Sequence, residues 1–480
     1  MKQEESLTYT KTQEKGREYA IISYLFVGIF VSLIAYLVYF NVKLKDNVLD
    51  SPYNTRQNSA AEYVVRGDIK SSDGQVLAHT EVAEDGSEER VYPYDRVFAH
   101  VVGYFDNGKS GLESMANYEL LSSHSFIGEQ IINDLKGEKN QGDTVVATLD
   151  ASLQMAAYDA LGDYDGAVVV LEPSTGRILA MVSKPDFNPN TLSENWDTIV
   201  NDESSSVLVN RATQGLYAPG STYKIVTALA YYRQHGNFDG FDFQCDGEIT
   251  VENHTIHCYN NSVHGQEDFT TAFAKSCNSA FAQIGSELGS DVLKKTSEDL
   301  LFNKKLPIPL NYKKSVFSLT KEDGNSTLMQ TAIGQGDTLV TPMHMALIVS
   351  SIANGGILME PYLIDHVENG NGDVVTTTKP KMSATLLTSE EASALGSLME
   401  EVVNSGTASK LSGNGYTVAG KTGSAEYFKA DGSVGTHSWF VGYSNVENPD
   451  IVVCVIGEDA GTGSSFAVPA AKQIFDEYYY

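Results

Sequence analysis

The chain has 480 residues and a hydrophobic content of 42%, which is enough for two or three folded units with ordinary cores. Its 33 basic and 62 acidic side chains give a formal charge of -29. This balance argues against nucleic acid as a partner, because phosphate binding needs a basic face.

The N-terminal region predicts a membrane anchor. Residues 20–40 carry no charge over 21 positions, a length that spans a bilayer as a helix. A cleaved signal peptide is disfavoured, because the apolar run is too long and no small-residue cleavage site follows before Asn41. Four basic side chains precede the span and only Lys43 and Lys45 follow closely, so the positive-inside rule predicts a cytoplasmic tail over residues 1–19.

Two regions follow the anchor, and their patterns differ. Residues 41–150 contain β-like runs at 62–69, 75–79 and 90–104, separated by Asp-Gly and Asn-Gly turns. Because no side chain in this region suggests chemistry, we expect a non-catalytic spacer or docking module. Residues 151–480 mix strands with longer helices and predict the catalytic domain.

The four cysteines allow more than one interpretation. Outside the membrane, Cys245 and Cys258 could form a disulfide that closes a small loop. A zinc site that combines Cys258 with neighbouring histidines is disfavoured, because its spacing fits no standard zinc pattern. These histidines are His254, His257 and His264. Cys277 and Cys454 lie in apolar surroundings and predict buried free thiols, so no metal and no cofactor are expected.

The first chemical motif is Ser221 with Lys224. Pro219 and Gly220 break regular structure, and Ser221 then opens an apolar, helix-forming run. A serine at a helix start meets free N–H groups that can stabilise an oxyanion, and a lysine three residues on can act as its base. The alternative is a helix-capping serine with a solvated lysine, and the segment 318–321 satisfies the same Ser-x-x-Lys spacing.

Two further motifs support the chemical interpretation. Ser276 and Asn278 precede an apolar helical run, and they offer a hydroxyl for proton relay and an amide for a substrate backbone. Lys421, Thr422 and Gly423 form a Lys-Thr-Gly sequence that occurs once, within a strand pattern. This sequence would present a cation and a hydroxyl to a carboxylate, with a glycine that allows close backbone approach.

With all three motifs in this order, the chain resembles the penicillin-binding proteins, for which this motif set is typical. The segments Arg66-Gly67-Asp68-Ile69 and Gly111-Leu112-Glu113 resemble the N-terminal module of class B members, so the resemblance covers nearly everything after the anchor. One departure is Cys277, where the pattern has Asp. The resemblance implies an α+β fold, in which an antiparallel sheet flanked by helices follows the β-containing N-terminal module and one transmembrane helix.

The resemblance also implies a reaction, the cross-linking of peptidoglycan stem peptides through an acyl-enzyme. Ser221 would be acylated by a peptide ending in D-Ala-D-Ala, Lys224 would take its proton, and Ser276 would relay a proton to the leaving D-Ala. The groups implied in substrate binding are Asn278 for the donor, Lys421, Thr422 and Gly423 for its carboxylate end, and the backbone N–H groups of Ser221 and Ser424 for the oxyanion. β-Lactams are the implied ligands, and a SEDS-type glycan polymerase at the cell membrane is the implied partner.

Three alternatives share part of this chemistry. A D,D-carboxypeptidase shares the acylation step, but the long N-terminal module favours a transpeptidase. A β-lactamase needs a carboxylate that activates water, and the near-match of residues 298–303 to the Glu-x-x-Leu-Asn element places Asn303 one position too late. A non-catalytic β-lactam sensor or scaffold remains the third, although the short cytoplasmic tail holds no signalling domain.

Overall fold

The computed structural model describes residues 2–40, 61–429 and 431–480 of the chain, which forms two compact units, Met1–Glu62 and Tyr63–Tyr480. In the first unit, helix α1 (Lys2–Tyr39) contains the segment Tyr19–Tyr39, with a mean hydropathy of 2.5. The predicted anchor is therefore a helix long and apolar enough to cross a membrane. Residues 41–60, which the sequence places in the N-terminal module, lie outside the described residues.

The second unit contains the strands and the remaining helices. The strands are β1 (Val64–Val65), β2 (Ile69–Lys70), β3 (Val76–Val82), β4 (Glu88–Val91), β5 (Asn140–Gln141), β6 (Thr144–Ala147), β7 (Gly166–Leu171), β8 (Ile178–Lys184), β9 (Phe243–Cys245), β10 (Glu248–Val251), β11 (His254–His257), β12 (Gly265–Glu267), β13 (Ile357–Met359), β14 (Ile364–Glu368), β15 (Val374–Thr377), β16 (Met382–Thr385), β17 (Val418–Phe428), β18 (Val434–Ser444) and β19 (Val452–Gly457). The helices are α2 (Ala99–Val102), α3 (Gly111–Met115), α4 (Asn117–Leu120), α5 (Ile127–Lys136), α6 (Ala151–Leu161), α7 (Leu192–Asn201), α8 (Arg211–Gln214), α9 (Lys224–His235), α10 (Phe269–Ala274), α11 (Asn278–Asp299), α12 (Asn325–Ala332), α13 (Pro342–Ala353), α14 (Ser389–Asn404) and α15 (Ala467–Tyr479).

The N-terminal part of this unit contains a six-stranded sheet in the order β15-β14-β6-β2-β3-β4. Its pairs are antiparallel except for β2 with β6. Strands from both sides of residue 150 share this sheet, because the hairpin β14–β15 adds to its edge. The predicted run at 75–79 is confirmed as part of β3. The predicted run at 90–104 is wrong beyond Val91, where β4 ends. Pro93 cannot donate a hydrogen bond to a strand ladder, and Val101 and Val102 are buried residues of helix α2.

The central sheet of the catalytic part has the order β17-β18-β19-β7-β8, and every pair in it is antiparallel. All residues of β7 and β19 are buried, as expected for strands that are covered on both faces. Helix α13 packs on β7, β18 and β19, while α6 and α15 pack on each other and on the same sheet. The predicted α+β fold, an antiparallel sheet flanked by helices, is therefore confirmed.

The edge strand β17 positions the site. A short 3-10 turn, Gly220–Tyr223, packs against β17 and leads directly into helix α9. Helix α9 in turn packs against α11, whose N-terminus follows the short helix α10. A helix entrance, a second helix start and a sheet edge therefore meet at one place, although they are far apart in sequence.

Candidate active site

Ser221 lies half-buried on the turn that precedes α9, as the sequence predicts. Gly220 has a φ of 53° and donates from its N–H to the Gly334 carbonyl at 2.9 Å. Gly334 has a φ of 79°, and a Cβ there would lie 1.9 Å from the Gly220 carbonyl oxygen. The turn that presents Ser221 is therefore held by a backbone contact that only glycine at 334 permits.

Lys224 is fully buried at the first position of α9. Its Nζ donates to the Ser276 carbonyl at 2.7 Å, to Ser276 Oγ at 3.2 Å and to Asn278 Oδ1 at 2.8 Å. These three contacts use all three hydrogens of a protonated amine. Within residues 61–429, no hydrogen bond joins Lys224 Nζ to Ser221 Oγ, a contact that apo active sites often form only with substrate.

The buried environment of Lys224 lowers the pKa of its amine. Burial lowers the pKa of Lys224 to about 8, although negative charge at Cys277, Cys258 and Glu267 acts in the opposite direction. A pKa near 8 leaves an appreciable share of the amine neutral at physiological pH. The neutral amine can take a proton from a hydroxyl, so the side chain can act as a general base.

Ser276 and Asn278 lie where α10 ends and α11 begins, with Cys277 between them as the N-terminal capping residue of α11. Ser276 has a φ of 59°, a conformation that non-glycine residues rarely adopt. Asn278 Nδ2 donates to the His257 carbonyl at 3.1 Å, and its Oδ1 accepts from Lys224. Asn278 therefore links the lysine to the end of β11.

Lys421 and Thr422 lie on the edge strand β17, as predicted. Lys421 is fully buried, and its Nζ donates to the Thr422 carbonyl at 3.3 Å and lies 5.4 Å from the centre of the Phe273 ring. No ion pair involves Lys421 among the described residues. Burial first, and then the charge of Lys224, hold the pKa of Lys421 well below its usual value. An entering carboxylate would supply the counter-charge that this lysine lacks.

We expected Gly423 to allow close approach of a substrate backbone, but the atoms nearest to Gly423 belong to the protein itself. A Cβ at this position would meet the Pro219 carbonyl oxygen and Thr222 Cγ2 at 3.0 Å each. Gly423 therefore lets β17 pack against the turn that carries Ser221. Gly423 also lines the cleft, as does Ser424, whose Oγ accepts a hydrogen bond from the N–H of Gly463 at 3.2 Å.

Most of these residues line one cleft of about 1260 Å³, whereas Lys224 and Lys421 are fully buried and do not belong to the described lining. Its lining includes Ser221, Ser276, Asn278, Thr422, Gly423 and Ser424. The lining also contains residues that the sequence did not assign to the site, among them Gln335 and Thr407. Gln335 belongs to an Ile-Gly-Gln-Gly segment that could have indicated it, whereas nothing in the local sequence marks Thr407. Thr407 Oγ1 lies 2.5 Å from Thr422 Oγ1.

The predicted disulfide is not formed in the structure. Cys245 and Cys258 are free thiols with their Sγ atoms 3.7 Å apart, far beyond the ~2.05 Å of an S–S bond. Cys258 Sγ is equally close, at 3.7 Å, to Cys277 Sγ. Cys277 is a buried free thiol, as the sequence predicts, and it is a member of a thiol cluster beside the cleft. His264 contributes its Nδ1 to the same cluster.

The comparisons with known proteins agree with this geometry. Residues 166–477 match the penicillin binding protein transpeptidase domain, and residues 66–145 match the penicillin binding protein A dimerisation domain. The chain is 32% identical over 444 residues to the peptidoglycan D,D-transpeptidase PbpA of Mycolicibacterium smegmatis, with 85% of this chain and 87% of that protein covered. It is 29% identical over 425 residues to the stage V sporulation protein D of Bacillus subtilis, covering 82% of this chain and 64% of that protein.

Solved structures extend the similarity to the fold. The D,D-transpeptidase domain of a peptidoglycan glycosyltransferase from Eggerthella lenta has a TM-score of 0.77 and 33% identity, with 86% of this chain and 97% of that chain covered. The ceftriaxone acyl-enzyme complex of penicillin-binding protein A from M. tuberculosis has a TM-score of 0.79 and 28% identity, covering 87% and 99%. The chain therefore belongs to the penicillin-binding protein transpeptidase family.

Proposed function

We propose that this chain is a peptidoglycan D,D-transpeptidase with Ser221 as its nucleophile. The observation that carries the proposal is the position of Lys224, whose amine contacts both Ser276 and Asn278 one helical turn from Ser221. A buried amine with a lowered pKa, two hydroxyls and a helix entrance are the parts that serine acyl transfer needs. The names of the relatives, which are D,D-transpeptidases, support the same activity.

The reaction uses these groups in two stages. Ser221 Oγ attacks the carbonyl carbon between the two terminal D-Ala residues, and its proton passes to neutral Lys224. The N–H groups of Ser221 and Ser424 stabilise the oxyanion, and the C–N bond then breaks. The leaving amine takes its proton from Lys224 by way of Ser276, which the lysine contacts. An amine of a second stem peptide then attacks the ester, forms the cross-link and returns Ser221 to its free state.

The donor is held at both ends of the reacting peptide. Asn278 binds its backbone, and Lys421 with Thr422 binds its terminal carboxylate. The carboxylate also explains why β-lactams react here, because penicillin carries a carboxylate beside its reactive amide. Solved structures of penicillin-binding protein A from M. tuberculosis as penicillin G and imipenem acyl-enzymes support this assignment for the chain.

The cleft lining favours amine acceptors over water. A β-lactamase would use Glu298 with Asn303, but neither belongs to the described residues that line the cleft. Asn303 instead exchanges hydrogen bonds with the backbone of Phe317 at 3.0 and 3.1 Å. The carboxylates of the lining are Asp337 and Glu426. Because the lactamase-like pair lies outside this lining, we infer that the acyl-enzyme persists in water and is resolved by an amine.

The anchor places this chemistry at the membrane. By the charge asymmetry around the span, residues 1–19 face the cytoplasm and the catalytic domain lies outside, where stem peptides occur. The boundary between residues 41–150 and 151–480 separates a non-catalytic module from this domain. A SEDS-type glycan polymerase in the same membrane supplies the glycan strands to be cross-linked.

Covalent labelling tests the nucleophile. Full-length chain in membranes should take up a labelled penicillin, and Ser221→Ala should abolish the label. Ser318→Ala is the matched control, because Ser318 belongs to the second Ser-x-x-Lys sequence and is exposed. Label that persists in Ser221→Ala would overturn the assignment.

Product analysis tests the reaction class. With a thioester or D-Ala-D-Ala donor and a D-amino acid acceptor, the exchange product should form, while the β-lactam adduct decays far more slowly than it forms. Rapid release of hydrolysed β-lactam without amine exchange would place the chain among the hydrolases. Label without either product would support the sensor or scaffold alternative.

A further inference from the structure

Four side chains with metal-binding atoms converge beside the cleft. Cys245 ends β9, Cys258 follows β11, His264 precedes β12 and Cys277 caps α11. Their three Sγ atoms and the nearest ring nitrogen all lie within 4.8 Å of one another. The three thiols are at most 3% exposed, while His264 is half-buried and lines the cleft together with Cys258.

Three separations within the cluster are close to those of tetrahedral zinc ligands, and the remaining pairs lie within 4.8 Å. With Zn–S bonds of about 2.3 Å and Zn–N bonds of about 2.0 Å, a tetrahedron has S···S edges of ~3.8 Å and S···N edges of ~3.5 Å. The Cys245–Cys258 and Cys258–Cys277 Sγ separations are both 3.7 Å, and Cys245 Sγ lies 3.3 Å from His264 Nδ1.

The surroundings suit thiolate ligands. Ser279 Oγ lies 3.1 Å from Cys258 Sγ, and the N–H of Ala280 donates to Cys277 Sγ at 3.4 Å. Hydrogen bonds of this kind to the sulfurs orient metal ligands and stabilise their negative charge. A disulfide between Cys245 and Cys258 would use two of the groups and leave Cys277 and His264 unexplained.

We infer that Cys245, Cys258, His264 and Cys277 bind one zinc ion, which fixes the segment Ser276–Cys277–Asn278 against the loop around β9–β12. Zinc is the metal that three thiolates and one imidazole select in a closed tetrahedral site. On binding, the three thiols lose their protons to solvent and His264 coordinates through neutral Nδ1. The ion takes no part in the reaction.

The ion acts on the site by positioning. Ser276, directly before the ligand Cys277, holds a φ of 59°, and such strained residues persist where their surroundings over-determine them. Asn278, directly after it, donates to the carbonyl of His257, the neighbour of the ligand Cys258. The metal therefore joins the two segments whose relative position sets the contacts of Lys224. Only this consequence rests on the proposed function; the metal site itself does not.

Metal analysis of the full-length chain, purified in detergent without a polyhistidine tag, tests the site. We expect about one zinc ion per chain, and a loss of zinc affinity of about tenfold or more in Cys245→Ser and Cys258→Ser. Cys454→Ser is the matched control, because Cys454 is a fully buried thiol in β19 outside the cluster, and it should keep the zinc. Cobalt substitution should give the visible bands of a tetrahedral thiolate site in the wild type and in Cys454→Ser.

Two outcomes would overturn the metal site. Wild-type chain without zinc, in which peptide mapping finds a Cys245–Cys258 disulfide, would overturn it, and so would full zinc content in both ligand variants. Should a ligand variant fail to fold, the wild-type zinc content and cobalt spectrum still decide. Chelation should slow penicillin acylation, and zinc but not magnesium should restore it. Zinc-bound chain that never reacts with penicillin would refute the proposed function and leave the metal site standing.

Discussion

Thr407 and Thr422 share a hydrogen bond within the cleft, with their Oγ1 atoms 2.5 Å apart. Thr422 belongs to the Lys-Thr-Gly strand, whereas Thr407 follows α14 and is held by a hydrogen bond from its N–H to the Ala274 carbonyl at 3.2 Å. Because a hydroxyl has one proton, this bond either uses the Thr422 proton or leaves it free for another acceptor. We propose that Thr407 positions the Thr422 hydroxyl, the group proposed to bind the donor carboxylate.

Replacing Thr407 should weaken carboxylate recognition. Thr407→Val keeps the side-chain shape and removes one neutral hydrogen bond, which contributes about 1 kcal/mol, or about fivefold in the acylation rate. We expect that loss with carboxylate-bearing donors, and recovery in Thr407→Ser. An equal loss with a donor whose carboxylate is amidated would contradict the positioning role.

Gly334 should be intolerant of a side chain. Its φ of 79° and the approach of its Cα to the Gly220 carbonyl leave no room for a Cβ, so Gly334→Ala should lower the free energy of unfolding by about 3 kcal/mol or more. Gly236→Ala is the matched control, because Gly236 has a φ of 81° with open space around its Cα, and it should cost only about 1–2 kcal/mol. Thermal or denaturant unfolding would measure both, and equal losses would show that the Gly220 contact contributes nothing.

The sequence predicted those structural elements that are marked by a few residues adjacent in the chain. The Pro-Gly break before Ser221 and the single Lys-Thr-Gly strand both appear as expected. It did not predict groups that are brought together only by packing. Thr407 reaches the cleft through the turn after α14, and β14–β15 joins the sheet of the N-terminal module more than 200 residues after β6.

The cysteine cluster illustrates the same limit in chemical terms. Zinc motifs are recognised in sequence by short spacings between paired ligands, such as Cys-x2-Cys. Here each ligand comes from a different element, and the intervals between Cys245, Cys258, His264 and Cys277 are set by two small hairpins and helix α10. Of the three histidines near Cys258 in sequence, His264 belongs to the cluster, whereas His257 contacts Glu248 at 3.1 Å.

Removal of the buried Lys421 side chain on β17 should change the preference for donors with a free terminal carboxylate. Lys421→Ala deletes a charge-assisted hydrogen bond to the donor carboxylate, which contributes about 1.5–3 kcal/mol, or about 10- to 150-fold in acylation. A donor with an amidated terminus makes no such bond and should lose much less. The ratio of the two acylation rates, measured in wild type and variant, checks this without depending on overall activity. An unchanged ratio would mean that Lys421 does not contact the carboxylate.

The pH dependence of acylation should report on Lys224. Because the base must be neutral, and burial lowers the pKa of Lys224 to about 8, the acylation rate should rise about tenfold per pH unit below that value and level off above it. Burial lowers the pKa of this amine, and the charges that oppose this effect are those of Cys277, Cys258 and Glu267.

Lys224→Ala should lower acylation by about 100-fold or more and abolish this rise, because no other group then takes the proton. Lys321→Ala, in the second Ser-x-x-Lys sequence, should keep both the rate and the pH profile, since Lys321 is an exposed partner of Asp291. Penicillin acylation followed by stopped-flow from pH 6 to 9.5 provides the measurement. A flat wild-type profile, or a rise that survives in Lys224→Ala, would assign the proton transfer to another group.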